Sequence, residues 1–144
     1  MARTEPVART PKPGPAPVQG IGMLIGLLFL VLGALQLIPG VTVGDGPRTL
    51  FGVFAVSSLW TLIHLLTGAV AVFCTRSDTL SSRFLIGAGG LYVVLGFAGL
   101  LPLPPAVEDL LPMNTAAICL AFGLGTAMLI FGAGWLRFGR GRRR

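Results

Sequence analysis

Charge is what this chain has least of. Only 11% of its 144 residues are charged, against about a quarter in an average soluble domain. It has 5 acidic residues and 1 histidine, His64. Asp45, Asp78, Glu108 and Asp109 are all expected in loops, and the adjacent Glu108 and Asp109 form a solvated acidic pair rather than an acid and base. There are 2 cysteines, Cys74 and Cys119, which excludes a disulfide scaffold and leaves no metal-ligand spacing. Both are expected as small buried apolar residues. No phosphate-cradling glycine loop and no nucleophile elbow is present. Together these absences predict a protein that is not an enzyme and carries no cofactor or metal.

What is there is apolar. Hydrophobic residues make up 53% of the chain and mean hydropathy is +0.84. A membrane-spanning helix needs about 20 apolar residues, and the sequence offers such runs over 21–38, 57–74, 84–101 and 114–136. The expected fold is all-α: an integral membrane four-helix bundle built as two tandem helical hairpins. The run at 21–38 is too long for a signal-peptide core and no A-x-A site follows it, so it is expected to be retained. Pro39-Gly40 ends it, and Pro102, Pro104 and Pro105 end the third run. Leu50–Val56 is expected either to lie at the interface or to begin the second helix early. A polar connection is expected over 75–83.

Residues 1–20 are rich in proline and nearly free of bulky apolar residues, which predicts a disordered basic cytoplasmic tail. Residues 137–144 form a second basic tail. With 4 spans, Arg3, Arg9, Lys12, Arg76, Arg83, Arg137, Arg140, Arg142, Arg143 and Arg144 share one side, and the other side holds only Arg48. The positive-inside rule then places both termini in the cytoplasm of a plasma-membrane protein. The net charge of +6 suits anionic lipid head groups rather than nucleic acid, since the basic residues flank an apolar run.

The chain repeats itself. Val31-Leu32-Gly33 recurs as Val94-Leu95-Gly96, and in that register Gly26 meets Gly89, Phe29 meets Tyr92 and Pro39 meets Pro102. Ser57 and Gly68 match Asn114 and Gly125 with a slightly different offset. Both hairpins start on the same side, so the repeat is parallel.

Glycine occurs 21 times. Gly22 and Gly26 form a GxxxG pair, and Gly26/Gly33, Gly89/Gly96 and Gly125/Gly132 each lie 7 apart. Small residues on one face let helix backbones approach closely in lipid. These residues and Gly68 serve packing within one bundle or, alternatively, a contact with a second copy or another membrane protein.

His64 is the only ionisable side chain well inside a span. Lipid cannot solvate its ring, so it must face protein or a water-filled gap. Thr61 and Thr67 lie 3 residues to either side, and Ser57 and Asn114 complete the intramembrane polar candidates, Asn114 as an N-cap. Three roles stay open. His64 is a neutral structural residue in a structural or interaction component, the centre of a small transporter or channel subunit, or an axial ligand to haem in a redox partner.

The runs FGVFAVSSLWTLIHLLTGAVAV, GGLYVVLGFAGLL and LPMNTAAICLAFGLG over residues 51–125 resemble the domain of unknown function 4383, with HLLTG at 64–68 the most specific part. The resemblance covers about residues 20–136. It implies a small four-helix membrane protein of the kind found largely in actinobacteria, and it implies no activity. It also implies polar residues and a histidine in both the second and fourth helices. Here Ser57, Thr61, His64 and Asn114 fit that pattern. Ala117 and Ala121 stand where an acidic residue and a second histidine are implied, so a histidine pair within one chain is absent.

Overall fold

The computed structural model describes residues 14–44 and 48–139. The expectations for residues 1–13, for Asp45 and for Arg140, Arg142, Arg143 and Arg144 lie outside the described residues. The helices are α1 (Pro17–Leu35), α2 (Ser58–Cys74), α3 (Asp78–Ala98), a short α4 (Pro105–Leu110) and α5 (Thr115–Gly134), which runs into one π-helical turn, Trp135–Gly139. Three of them are long and apolar enough to cross a membrane: α1, α3, and α5 with its π turn. The fourth apolar helix, α2, has 17 residues.

The outward faces explain the scarcity of charge. Leu24, Val94 and Ile130 are 70%, 63% and 63% exposed, a surface that suits hydrocarbon and not water. The residues that are buried lie between helices, among them Phe29, Leu85 and Met128 at 0% exposure.

The all-helical expectation needs a correction. Three two-residue strands, β1 (Thr42–Val43), β2 (Thr49–Leu50) and β3 (Phe54–Ala55), form a small antiparallel sheet in the order β1-β2-β3. Leu50–Val56 therefore does not begin α2, which starts at Ser58. It turns through Phe51 and Gly52, both at positive φ (53° and 72°), so that Leu50 pairs with Phe54. The turn buries Leu50 and Val56 over the ends of the helices.

Two further boundaries move. Helix α1 starts at Pro17, not Ile21, because the Ala16 backbone N–H donates to Gln19 Oε1 at 2.6 Å and proline suits the first helical position. Helix α3 starts at Asp78, not Phe84, because Ser77 Oγ accepts from the Leu80 backbone N–H. Asp78 is thus a helical residue accepting from its neighbour Thr79 N–H, and Glu108 and Asp109 sit in α4. None of these carboxylates lies in a plain loop as expected.

Helix α1 packs on α2, and α3 packs on α5. Corresponding positions of the two hairpins are related by a shift of 63 in their first helices and 57 in their second, and the Gly26–Gly68 contact corresponds to Gly89–Gly125. Gln19 Nε2 donates to the Thr75 carbonyl at 2.7 Å, and its counterpart Ser82 Oγ donates to the Gly132 carbonyl at 2.6 Å. The counterparts Phe29 and Tyr92 face each other, ring centres 5.0 Å apart. That mutual contact is what a two-fold relation along the helices produces near its axis.

The helix caps repeat the symmetry. Ser57 accepts from Trp60 N–H and donates to the Leu110 carbonyl. Asn114 accepts from Ala117 N–H and its amide donates to the Val53 carbonyl. Each cap reaches the residue four before the other cap, so the loops that follow α1 and α3 are tied reciprocally. Ser57→Ala or Asn114→Ala is expected to cost about 1 kcal/mol for the cap alone, plus about 1 kcal/mol for the lost inter-loop bond. Unfolding in detergent measures it, and the loss of both should fall short of the sum.

Candidate functional site

The small residues come first because they bring the polar ones together. A methyl group built on Gly68 would lie 2.8 Å from the Gly26 carbonyl oxygen and 2.8 Å from Leu30 N. One on Gly26 would lie 2.9 Å from Ala71 Cβ, and one on Gly33 would lie 2.7 Å from Leu65. Helices α1 and α2 therefore touch backbone to backbone. In the second hairpin a methyl on Gly89 would meet the Gly125 oxygen at 2.8 Å, Gly125 the Gly89 oxygen at 2.8 Å, Gly96 the Phe122 ring and Gly132 the Ser82 oxygen. Gly22 faces Ser81 of α3 and Thr75. All eight glycines singled out in the sequence thus face other parts of this same chain.

Close approach of α1 to α2 lets a residue that the sequence did not mark reach His64. Gln36, the residue after α1, is 7% exposed. Its Nε2 lies 2.9 Å from His64 Nδ1, and its Oε1 accepts from Thr61 Oγ1 at 2.9 Å. With the amide so oriented, Nδ1 accepts and the ring proton sits on Nε2. Thr61 Oγ1 also lies 3.1 Å from the Ser57 carbonyl one turn earlier. The ring is stacked between aromatic neighbours, Trp60 at 5.5 Å and Phe29 at 5.7 Å. Trp60 in turn donates its indole N–H to the Pro112 carbonyl of the other hairpin. His64 is therefore clamped by α1, by its own helix and by the rings.

Of the expected polar candidates, Thr61 and His64 meet in this cluster. Ser57 joins it through its carbonyl only, and Asn114 caps the other hairpin. Thr67 is directed elsewhere and lies beside the Tyr92 hydroxyl. Gln36 and Trp60 were missed. The available signal for Gln36 was a lone amide at the end of an apolar run.

The repeat relation exposes an asymmetry. The counterparts of Gln36, Trp60, Thr61 and His64 are Gly99, Ala117, Ile118 and Ala121. A methyl on Gly99 would press on Ile118 at 2.8 Å, so the pair occupies the position of the Gln36–Thr61 bond without its polarity. Ala117 and Ala121, with Tyr92 and the loop side chains Leu50 and Phe54, border a cavity of about 30 Å³ beside His64. That volume admits water.

A larger crevice of about 1120 Å³ opens between the loops that follow α1 and α3. Gln36, Thr61 and Gly99 border it, as do both caps, Ser57 and Asn114. Arg48 and the Glu108–Asp109 pair border it as well, contributed by different hairpins. The cysteines are free, Cys119 exposed and Cys74 half-buried, which corrects the expectation that both are buried. Among the described residues no group of His, Cys, Asp and Glu is arranged to hold a metal.

A family model described as Domain of unknown function (DUF4383) matches residues 19–134. The match spans more than half of the chain, and the chain belongs to this family. No curated protein and no solved structure matches it.

Proposed function

We propose that this DUF4383 member is a non-enzymatic multi-pass protein of the plasma membrane, a structural or interaction component whose four long helices all cross the bilayer with both termini in the cytoplasm. Its partners in this reading are the lipid bilayer, anionic head groups at the basic tails, and a second copy or another membrane protein. The observation that carries it is the hydrogen-bonded group Gln36–His64–Thr61. The chain's one histidine is held by neighbours of its own chain. Helix α2 is about 26 Å long at 1.5 Å per residue, a little short of a hydrocarbon core of about 30 Å. The Ser57 cap and the three-residue connection 75–77 supply the rest of the crossing. Arg76, Arg83 and Arg137 then lie at one end, and Arg48 at the other, which supports cytoplasmic termini.

His64→Ala is the test. In this reading the variant unfolds more easily, by about 1–2 kcal/mol, and ion or solute flux through reconstituted vesicles is the same as for the parent. The rival reading, a small transporter or channel subunit centred on His64, draws on the crevice that reaches Gln36 and Thr61. It predicts a parent protein with measurable flux and a variant without it. A flux lost with His64 would replace the structural reading by that one.

A further inference from the structure

The crevice between the loops that follow α1 and α3 combines features that the structural role of His64 leaves unused. Its volume of about 1120 Å³ is ample for a small solute. One wall carries Arg48, and the opposite hairpin contributes Glu108 and Asp109. These opposite charges make no ion pair with one another among the described residues. Arg48 is instead held by its own loop, donating to Thr42 Oγ1 at 2.8 Å. The walls are fixed relative to each other by the reciprocal cap bonds, Ser57 to Leu110 and Asn114 to Val53. Leu37, Leu101 and Leu103 add apolar lining, and Gln36 and Thr61 add neutral polar lining.

We propose that this crevice is a binding site for a small zwitterion carrying an ammonium and an anionic group, the anion at Arg48 and the ammonium at Glu108 and Asp109. A fixed pair of opposite charges recognises a ligand of the matching dipole and rejects ligands with one charge only. Arg48 presents a planar fork suited to a carboxylate or a phosphate. The shared chemistry has two sources, a free amino acid and the phosphoethanolamine head group of a lipid. The site rests on the membrane-spanning reading only for which side of the membrane it faces.

The experiment is binding to the full chain in phosphatidylglycerol nanodiscs, which leave both faces open and whose head groups carry no ammonium, so its outcome is independent of sidedness and of flux. The probes are the proteinogenic L-amino acids, glycerophosphoethanolamine, and for each binder its decarboxylated or dephosphorylated amine and its N-acetylated acid. The expected result is binding of an intact zwitterion that exceeds binding of either single-charge analogue. Arg48→Gln and the pair Glu108→Gln with Asp109→Asn should each weaken it about ten- to a hundredfold. These side chains take no part in helix packing, and an unchanged melting temperature shows that the variants are folded. Binding of amino acids assigns the free solute. Binding of glycerophosphoethanolamine alone, competed by phosphatidylethanolamine in the disc, assigns the head group. No binding of either class, or binding that the charge-removing variants leave intact, overturns the proposal.

Discussion

Gly125→Leu is expected to prevent the second hairpin from closing, at a cost of about 3 kcal/mol or more. The reason is the chemical nature of the obstacle. A methyl group on Gly125 would lie 2.8 Å from the Gly89 carbonyl oxygen and 2.9 Å from Val93 N. Backbone atoms of a packed helix cannot rotate away as a side-chain tip can. Gly123→Leu is the control, two residues away on the same helix with nothing within 4 Å of the added methyl. It should leave stability within about 0.5 kcal/mol, since leucine replaces glycine in a helix facing open space. Gly68→Leu should repeat the damage in the first hairpin, against Gly26 and Leu30. Thermal unfolding in detergent followed by size-exclusion chromatography separates the three variants. Equal stability of Gly125→Leu and Gly123→Leu would contradict the backbone contact.

Gln36→Leu is expected to cost about 1–3 kcal/mol, although it replaces a polar residue by an apolar one near lipid. The loss comes from the partners. His64 Nδ1 and Thr61 Oγ1 both depend on this one amide. Thr61 keeps the Ser57 carbonyl, while the acceptor Nδ1 is left without a donor inside a ring stack. Thr61→Val, which removes one hydroxyl, keeps the shape and leaves the Gln36–His64 bond in place, should cost less. The double variant should cost less than the sum, because Gln36 and Thr61 share a bond. Denaturant midpoints in mixed micelles measure all three. Strict additivity would show that the amide and the hydroxyl act independently, against the geometry.

Much of the architecture was legible in the sequence because it depends on long patterns. Four apolar runs appear without structural help, and the match of Gly26 with Gly89 and of Gly68 with Gly125 already pairs the contact points of the two hairpins. The polar cluster was half legible. Thr61 and His64 share a helix face by their spacing, but their partner Gln36 lies 28 residues before His64 on another helix, and only packing brings it there. The repeat concealed it further, since its counterpart Gly99 carries no polarity. Thr67 satisfied the same spacing rule as Thr61 and went to Tyr92, because its side of the helix turns toward the second hairpin. The small sheet escaped because two-residue strands are too short for an alternating pattern, and its turn depends on Phe51 in a backbone region that bulky residues seldom occupy. The early start of α3 escaped because Arg83 and the serines before it read as polar connection. In fact Ser82 is fully buried and bonded to the Gly132 carbonyl.

The asymmetry between the hairpins bears on what the fold is for. Two copies of one packing scheme are retained, while the polar group is kept in one and replaced by Gly99, Ile118 and Ala121 in the other. The glycine contacts and caps therefore serve the scaffold, and the cluster around His64 is what distinguishes this chain's two halves.

In the proposed topology the two hairpins cross the bilayer in parallel, so that the 75–77 connection and both tails share one side. Single cysteines at Ser77 and at Val107, placed in a chain with Cys74→Ala and Cys119→Ala, test it with a membrane-impermeant thiol reagent on intact cells. The account predicts labelling at position 107 from outside, and labelling at position 77 only after the membrane is opened. Labelling of both positions from outside, or of position 77 alone, would contradict it.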